Sequence, residues 1–528
     1  MSNLHAVFQS RPGYKPNAEA IILPKSSPTP FTFTFQKLYD LVLDLQAQIA
    51  SFGLSPGQAI SSSLINGIEF TLAFFATGGQ RLIAAPLNPN YSINEVEFYL
   101  QDTNSKLLLL PKGALTSGSS HPAAEAAKKL GVQVVEIAFD PQSATVSLTR
   151  ADGSRVGRAK PTQPNDNDVA LVLHTSGTTG RPKGVPLTHK NLYTTMNNII
   201  GTYNLTPADR TYLVMPLFHV HGLLCGLLAT LLSGGSAVIP PKFSASVFWP
   251  ELSGHGCNWY TAVPTIHQML LNSPIPDPLP NLRFIRSCSS ALSPSTFHQI
   301  EKTFKAPVLE AYAMTEASHQ MTSNPLPPAK RKPGTVGIGH GVEIKILDDK
   351  GNEVAQGQIG EVCVRGANVT HGYLNNEKAN NESFILSSKG TGPPENDGFF
   401  RTGDQGRKDT DGYVELVGRI KELINRSGEK ISPLEVDAAL LAVEGVKEAV
   451  SFAMPDKMYG EKVGATVILK DGSKLDEKKI QEAMQGKITK FKIPERIWIT
   501  DAIPKTATGK IQRKNVAATF LRKDGAKL

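Results

Sequence analysis

Apolar positions along the first 110 residues switch repeatedly between a helical and a strand period. Phe35–Phe52 places its apolar residues three and four apart, which predicts an amphipathic helix, and Ala59–Leu64 predicts a strand. Helix over Glu69–Gly78, strand over Ile83–Pro86, helix over Ile93–Thr103 and strand over Leu107–Leu110 continue the alternation. Strands separated by helices predict βαβ units with parallel pairing. The polar stretch Ala151–Asp168, with two prolines, reads as a linker-like loop. An apolar run, Val169 to Leu173, then opens a second α/β set that extends to about Phe304, with strands at Ala237–Ile239, Trp259–Ala262 and Phe284–Ser287. From Gly334 to Gly372 short alternating runs, Val342–Leu347 and Ile359–Arg365, predict a small β-barrel or distorted sheet. Past Gly418 a Lys- and Glu-rich piece predicts helices at Pro433–Ala442 and Lys478–Ile488. Its strands are expected at Val446–Ala453, Val463–Leu469 and Arg496–Ile499, which suits a separate small domain.

Composition narrows this picture without changing it. At 528 residues, 40% apolar and 19% charged, the chain has the make-up of a globular protein with several cores. The net charge of +8 is spread along the chain, and no basic run carries interleaved aromatics. The excess therefore suits highly anionic small molecules and implies no obligatory nucleic acid. Cys225, Cys257, Cys288 and Cys363 form no CxxC, so neither a zinc site nor a disulfide framework is indicated. The first residues lack the apolar core of a secretory signal. Thr211 to Pro241 carries no formal charge, but Pro216, two histidines and several glycines interrupt it. A buried strand followed by a short buried helix is expected there, with no transmembrane segment. The final Ala526-Lys527-Leu528 is close to the Ser-Lys-Leu address read by the peroxisomal import receptor, so a peroxisomal matrix location is expected, with a cytoplasmic pool also compatible.

The chemistry begins where the apolar run stops, at Thr175-Ser-Gly-Thr-Thr-Gly-Arg-Pro-Lys-Gly184. Glycines let backbone N–H groups close on an anion, hydroxyls add donors, and Arg181 and Lys183 add charge. A Ser/Thr/Gly-rich stretch alone is more often a plain surface loop; the two cations and the preceding buried strand favour a polyphosphate ligand. It is not a Walker A loop, because Pro182 stands where the second glycine should be and Gly184 follows Lys183.

Thr175 to Val185 is similar to the signature of the adenylate-forming superfamily: acyl- and aryl-CoA ligases, adenylation domains of nonribosomal synthetases, and beetle luciferases. The resemblance implies an α/β fold. A large N-terminal domain over 1–418, two α/β subdomains plus a small β-barrel, would join through a hinge at 419–422 to a small mobile α+β domain over 423–528. Further motifs follow in the family's order. Glu310-Ala311-Tyr312-Ala-Met-Thr315-Glu316 resembles the YGxTE segment, although Ala313 replaces the usual glycine. By that resemblance Thr315 touches phosphate, Tyr312 stacks on adenine, and Glu316 with Thr179 holds Mg²⁺, for which a hard carboxylate oxygen is suitable. Thr175, Ser176, Gly177, Thr178, Thr179, Gly180 and Lys183 would cradle ATP, with Ser289-Ser290-Ala291 as the adenine-proximal turn. Asp404, in Arg401-Thr-Gly-Asp404, would accept the ribose hydroxyls, and Arg419 would reach ribose or phosphate. Lys421 occupies the pivot position, Ser427-Gly428 would line the pantetheine tunnel of CoA, and Lys510 would be the catalytic lysine of the small domain.

That set suits one reaction. A carboxylate attacks the α-phosphate of ATP, giving an acyl adenylate and pyrophosphate, and a thiol then displaces AMP. Lys510, Mg²⁺ and the 175–184 loop meet the negative charge that concentrates on phosphorus, with no covalent enzyme nucleophile required. In Pro216-Leu-Phe-His219-Val-His-Gly-Leu223, His219 would stand at the acyl pocket entrance. Ser318, His319 and Gln320, with Ser289 and Ser290, would make the pocket polar. Desolvating such groups for an alkyl tail leaves them unpaired at about 1–3 kcal/mol each. A small diacid fits better, with His319 and Ser290 on its distal carboxylate. The motif combination most resembles the oxalate–CoA ligases of fungi and plants. Malonate, 4-coumarate and medium-chain fatty acid ligases are the alternatives, followed by luciferase-type and carrier-protein-loading enzymes.

Overall fold

The computed structural model describes residues 2–9, 14–116, 121–175, 182–385, 398–505 and 511–523. Among them, a seven-stranded sheet runs in the spatial order Thr145–Arg150, Gln133–Asp140, Leu107–Pro111, Ala59–Ser62, Ile83–Pro86, Val169–Thr175, Lys183–Thr188. A nine-stranded sheet runs Ile338–Gly339, His319–Ser323, Val308–Met314, Phe284–Ser287, Trp259–Ala262, Arg210–Tyr212, Ser236–Val238, Glu19–Leu23, Phe31–Thr34. The expected parallel pairing holds at both centres, as in Ala59–Ser62 beside Ile83–Pro86 and Trp259–Ala262 beside Phe284–Ser287. It fails at the edges, where Thr145–Arg150, Lys183–Thr188, Phe31–Thr34 and His319–Ser323 run antiparallel as returning hairpins. A short loop can join only antiparallel neighbours, and these edge strands follow or precede their partners directly.

Local chemistry sets the helix ends. Thr34 caps the helix Phe35–Ala50 by accepting the Lys37 N–H, and Phe35, Leu38, Leu41, Val42, Leu45 and Ile49 bury one face. The helix stops two residues short of the expected Phe52, because Ser51 turns its hydroxyl onto the Gln48 carbonyl and Gly53 adopts φ 66°. Ile68–Gly79 is buried on nearly every side and packs against that helix. Thr211 to Pro241 contains the end of a strand, a π-helix His221–Leu228 continued by Ala229–Leu232, and the strand Ser236–Val238. Among the described residues no helix is long and apolar enough to cross a membrane.

The Gly334–Gly372 region contributes to an antiparallel five-stranded sheet of Glu343–Leu347, Gly360–Arg365, Phe399–Lys408, Phe384–Ile385 and Val414–Arg419, with register breaks at Glu361/Cys363 and Gln405/Gly406. Beyond it, Gly460–Leu469 is the central strand of another five-stranded sheet, with the long strand Val446–Asp456 antiparallel beside it. Ile424, Val436, Leu440, Val467 and Ile480 pack on one of its faces, and Val450, Phe452, Val516 and Phe520 on the other. The helix expected over Lys478–Ile488 is Glu477–Met484, ended by Gly486 at φ 77°.

Candidate active site

The carboxyl ends of the central strands of the nine-stranded sheet converge on one side of the molecule, the usual place for a ligand in an open α/β sheet. Phe284–Ser287 leads to Ser289, Val308–Met314 leads to the 3₁₀ turn Thr315–Ala317, and Trp259–Ala262 carries Thr261.

One cluster of polar groups forms around Asp404. It lies opposite Arg419 in the antiparallel ladder, 3.2 Å from Arg419 Nε, and accepts the Tyr312 hydroxyl. The Thr402 hydroxyl accepts the Asp404 N–H at 3.1 Å, and Arg401 on the same strand is paired with Glu361. Burial and the Asp404 charge push the Tyr312 phenol well above its ordinary range, so it stays a donor. Asp404 holds the Arg419 guanidinium charged.

A second cluster forms around Lys183. Thr175 pairs with Lys183 in the antiparallel ladder of Val169–Thr175 and Lys183–Thr188. The Lys183 ammonium lies 4.0 Å from the Tyr373 ring centroid, and the Tyr373 hydroxyl donates to Glu316 Oε1 at 2.8 Å. Thr370 stitches the parts together: its N–H donates to the Glu316 carbonyl at 2.7 Å and its hydroxyl to the Pro186 carbonyl at 2.7 Å. Burial lowers the Lys183 pKa, the Glu316 charge offsets part of this, and Lys421 lowers it further. Lys421 thus acts electrostatically on this cluster from its exposed position in the turn Ile420–Glu422.

A third cluster is polar and buried. His221 and His319 stack with ring centroids 5.2 Å apart and planes at 25°. His221 Nδ1 lies 3.1 Å from Ser289 Oγ, His221 Nε2 lies 2.6 Å from Thr261 Oγ1, and His319 Nε2 is buried without a partner among the described residues. His219 accepts the His221 N–H at Nδ1, 3.3 Å away. Ser289, Ser318 and His319 take φ of 72°, 51° and 114°, conformations that non-glycine residues rarely adopt and that cluster at working sites. Arg286, fully buried, donates from Nε to the Tyr203 hydroxyl at 2.7 Å, from Nη1 to Thr261 Oγ1 at 3.2 Å and from Nη2 to Gln320 Oε1 at 3.3 Å.

The structure therefore groups Thr175, Lys183 and Glu316 with Tyr312, Asp404 and Arg419, and gathers Ser289, His219 and His319 around His221. Thr315 opens the turn that carries Glu316 and is half-buried. Ala311 is buried in the strand, and Glu310 accepts the Gly334 N–H at 3.0 Å while burial pushes its pKa up to about 8. Ser290 and Ala291 are exposed, so Ser289 is the serine turned toward the histidines. Ser427 and Gly428, at φ 52° and 94°, form the two-residue turn between Ile424–Arg426 and Glu429–Ile431, away from the histidine pair in sequence and exposed. Ser176, Gly177, Thr178, Thr179, Gly180, Lys510 and Ala526-Lys527-Leu528 lie outside the described residues. Sequence reasoning missed Tyr373, Thr261, Tyr203, His221 and Arg286. Tyr373 sits in a polar Asn-rich stretch with no distinguishing spacing, whereas Arg286 carries a legible signal, a cation inside the apolar run Phe284–Ser287.

The model of the AMP-binding enzyme family matches residues 8–374, and that of the AMP-binding enzyme C-terminal domain matches residues 435–510. The chain belongs to the AMP-binding enzyme family. It is similar to the oxalate–CoA ligase of Saccharomyces cerevisiae, 49% identical over 481 residues that cover 88% of this chain and 87% of the relative. It is likewise similar to the oxalate–CoA ligase of Arabidopsis thaliana, 47% identical over 501 residues covering 93% and 94%. Among solved structures, ATP-bound MatB from Rhodopseudomonas palustris superposes with a TM-score of 0.87 at 28% identity, covering 99% of this chain and 100% of the other. The α/β architecture, with a large N-terminal part and a smaller C-terminal one, is that of this AMP-binding enzyme family.

Proposed function

We propose that this AMP-binding enzyme is an ATP-dependent acid–CoA ligase that joins oxalate to coenzyme A, forming oxalyl-CoA, AMP and pyrophosphate. One observation carries the reading of the acid: the acyl side is built from the buried polar groups His221, His319 and Arg286 with the half-buried Ser289, and His319 Nε2 has no partner among the described residues. An alkyl or aryl tail would leave His319 Nε2 without a hydrogen bond and Arg286 without a counter-charge, at about 1–3 kcal/mol for an unsatisfied polar group. A second carboxylate would satisfy them. The names of the two relatives nearly half identical to this chain agree with this choice.

In the first step a carboxylate oxygen of the acid forms a bond to the α-phosphorus as the bond to pyrophosphate breaks. Asp404 accepts the ribose diol, Tyr312 stacks on adenine, and Arg419 reaches the ribose or phosphate. Lys183 and the glycine-rich loop hold the departing phosphates, and Lys510, carried on the small domain, meets the charge on phosphorus. Glu316, with Thr179, would hold Mg²⁺. The fit is sound: Glu316 offers a buried hard-oxygen carboxylate, and among the described residues no cluster of three His, Cys, Asp or Glu exists, which leaves phosphate and water as the other ligands, as Mg²⁺ prefers. When bound, the ion neutralises phosphate charge. In the second step the CoA thiol sulfur attacks the acyl carbon and AMP leaves. The chain divides, in this reading, into 1–418, a hinge at 419–422 with Lys421 as pivot, and 423–528. Rotation there withdraws Lys510 and brings Ser427 and Gly428 to the pantetheine. Import into the peroxisome through Ala526-Lys527-Leu528 completes the proposal, and loss of import on deleting those three residues tests it.

The substrate is tested by AMP release with oxalate, malonate, 4-coumarate and octanoate. Oxalate is expected to have the highest kcat/KM; a preference for coumarate or octanoate would overturn the reading.

A further inference from the structure

Arg286 is a cation with no counter-anion among the described residues. It lies on the strand Phe284–Ser287, between Trp259–Ala262 and Val308–Met314, with no exposed surface. Its partners there, the Tyr203 hydroxyl, Thr261 Oγ1, Gln320 Oε1 and His221 Nε2 at 3.5 Å, are all neutral groups. The Tyr203 phenol and the Cys225 thiol close to it are pushed up to about 12 and about 11 by burial, so neither supplies negative charge near neutral pH. A guanidinium remains protonated in such a place. Burying it unpaired destabilises the fold unless something else returns the charge.

The hydrogen bonds around it have a direction. A guanidinium N–H can only donate, so Thr261 Oγ1 accepts from Arg286 Nη1; Nη1 also faces His221 Nε2 at 3.5 Å, which makes Nε2 the acceptor to which Thr261, 2.6 Å away, donates its own proton. Nε2 is then an acceptor, and the single ring proton of the neutral imidazole sits on Nδ1, which donates to Ser289 Oγ at 3.1 Å. Ser289 Oγ, already accepting, keeps its own O–H to donate into the acyl side. Burial first, and the Arg286 charge second, hold both His221 and His319 well below the ordinary imidazole range, so both rings stay neutral and their tautomers fixed. His319, stacked on His221, presents an unpartnered Nε2.

We propose that Arg286 is the buried counter-cation for the second carboxylate of the acid. Through Thr261, His221 and Ser289 it is the positioning residue by which the enzyme selects a dianionic acid over a monoanionic one of the same shape. This rests on the reading of the substrate as a short diacid. The acid that enters brings the missing negative charge, and the site has its donors aligned before it arrives.

The test compares oxalate with oxamate, which has the same size and keeps one carboxylate but ends in a neutral amide, in wild type, Arg286→Met and Thr261→Val. Wild type is expected to prefer oxalate in kcat/KM by about 100-fold, and Arg286→Met to bring that ratio below about 5-fold, chiefly through KM for oxalate. The thermal midpoint of Arg286→Met without ligand should be equal to or above that of wild type, since an uncompensated buried charge has gone. Thr261→Val, which keeps the cation but cuts the relay, should lower the ratio about 10-fold, and it decides the matter if Arg286→Met does not fold. An equal loss for both acids, with a lowered thermal midpoint, would show a merely structural Arg286 and overturn the inference. An unchanged ratio in both variants would also overturn it. Wild type that prefers oxamate would instead refute the diacid reading itself.

Discussion

Replacing Asp404 with Asn removes a charge while keeping its shape, and the structure fixes what that removes. Asp404 is 7% exposed, is held by its own backbone bond to Thr402, and offers its carboxylate to Tyr312 and Arg419. A ribose diol bound there would make two hydrogen bonds to a charged acceptor, each worth about 1.5–3 kcal/mol. Asn retains one carbonyl acceptor but turns an NH₂ toward either Arg419 or the sugar, so one bond is lost and the other loses its charge assistance. The expected cost is about 2–4 kcal/mol, a fall of roughly 30- to 1000-fold in kcat/KM for ATP. Pyrophosphate release measured with ATP and with 2′-deoxy-ATP forms a double-mutant cycle. In wild type the deoxy nucleotide should be penalised by about 10-fold or more, and in Asp404→Asn by less than about 3-fold, because the partner of that hydroxyl has already been weakened. Losses that simply multiply would refute the assignment of Asp404 to the ribose.

Lys510→Ala is expected to lower adenylation by about 100- to 1000-fold while sparing thioester formation from supplied acyl adenylate. Equal loss of both half-reactions, followed by acyl-CoA chromatography, would count against that role. Gly222 follows His221, and a Cβ there would lie 2.2 Å from the Pro216 carbonyl oxygen. Gly222→Ala should therefore displace the Pro216–His221 segment, raise KM for the acid several-fold and lower the thermal midpoint; an unchanged KM would argue against the segment as a pocket wall. Glu310 is buried and titrates near 8 rather than 4.5, so between those values the native chain holds a proton that the unfolded chain releases, and stability falls as pH rises. Glu310→Gln removes that dependence. Its stability gain over wild type should be near zero at about pH 5 and on the order of 2–4 kcal/mol above about pH 8, read from denaturant titrations; a gain independent of pH would contradict the assignment.

The elements most legible in the sequence were those whose burial is one-sided. Phe35–Ala50 shows its period because only one face is covered, and Trp259–Ala262 and Phe284–Ser287 stand out as short apolar runs between polar ones. The antiparallel edges were not legible, since Lys183–Thr188 and His319–Ser323 carry too many polar residues to alternate cleanly. The grouping of Asp404, Arg419, Tyr312 and Glu316 was legible because these residues lie in ordered motifs. Its supports were not: Thr370 and Tyr373 act through single hydrogen bonds to Glu316, a relation set by chain crossing rather than spacing. The cluster around His221 and His319 was legible as polar, but not in its wiring. That Ser289 and not the neighbouring Ser290 faces His221 depends on a left-handed turn at φ 72°, which composition does not reveal.

The central claim is that oxalate is activated as an acyl adenylate, and isotope transfer tests it most directly. With oxalate carrying ¹⁸O in its carboxylates, the oxygen that attacks phosphorus stays with AMP when the thiol displaces it. Mass spectrometry of the products should find one ¹⁸O in each AMP formed alongside oxalyl-CoA. Unlabelled AMP, or nucleotide consumption that does not depend on oxalate, would contradict the account.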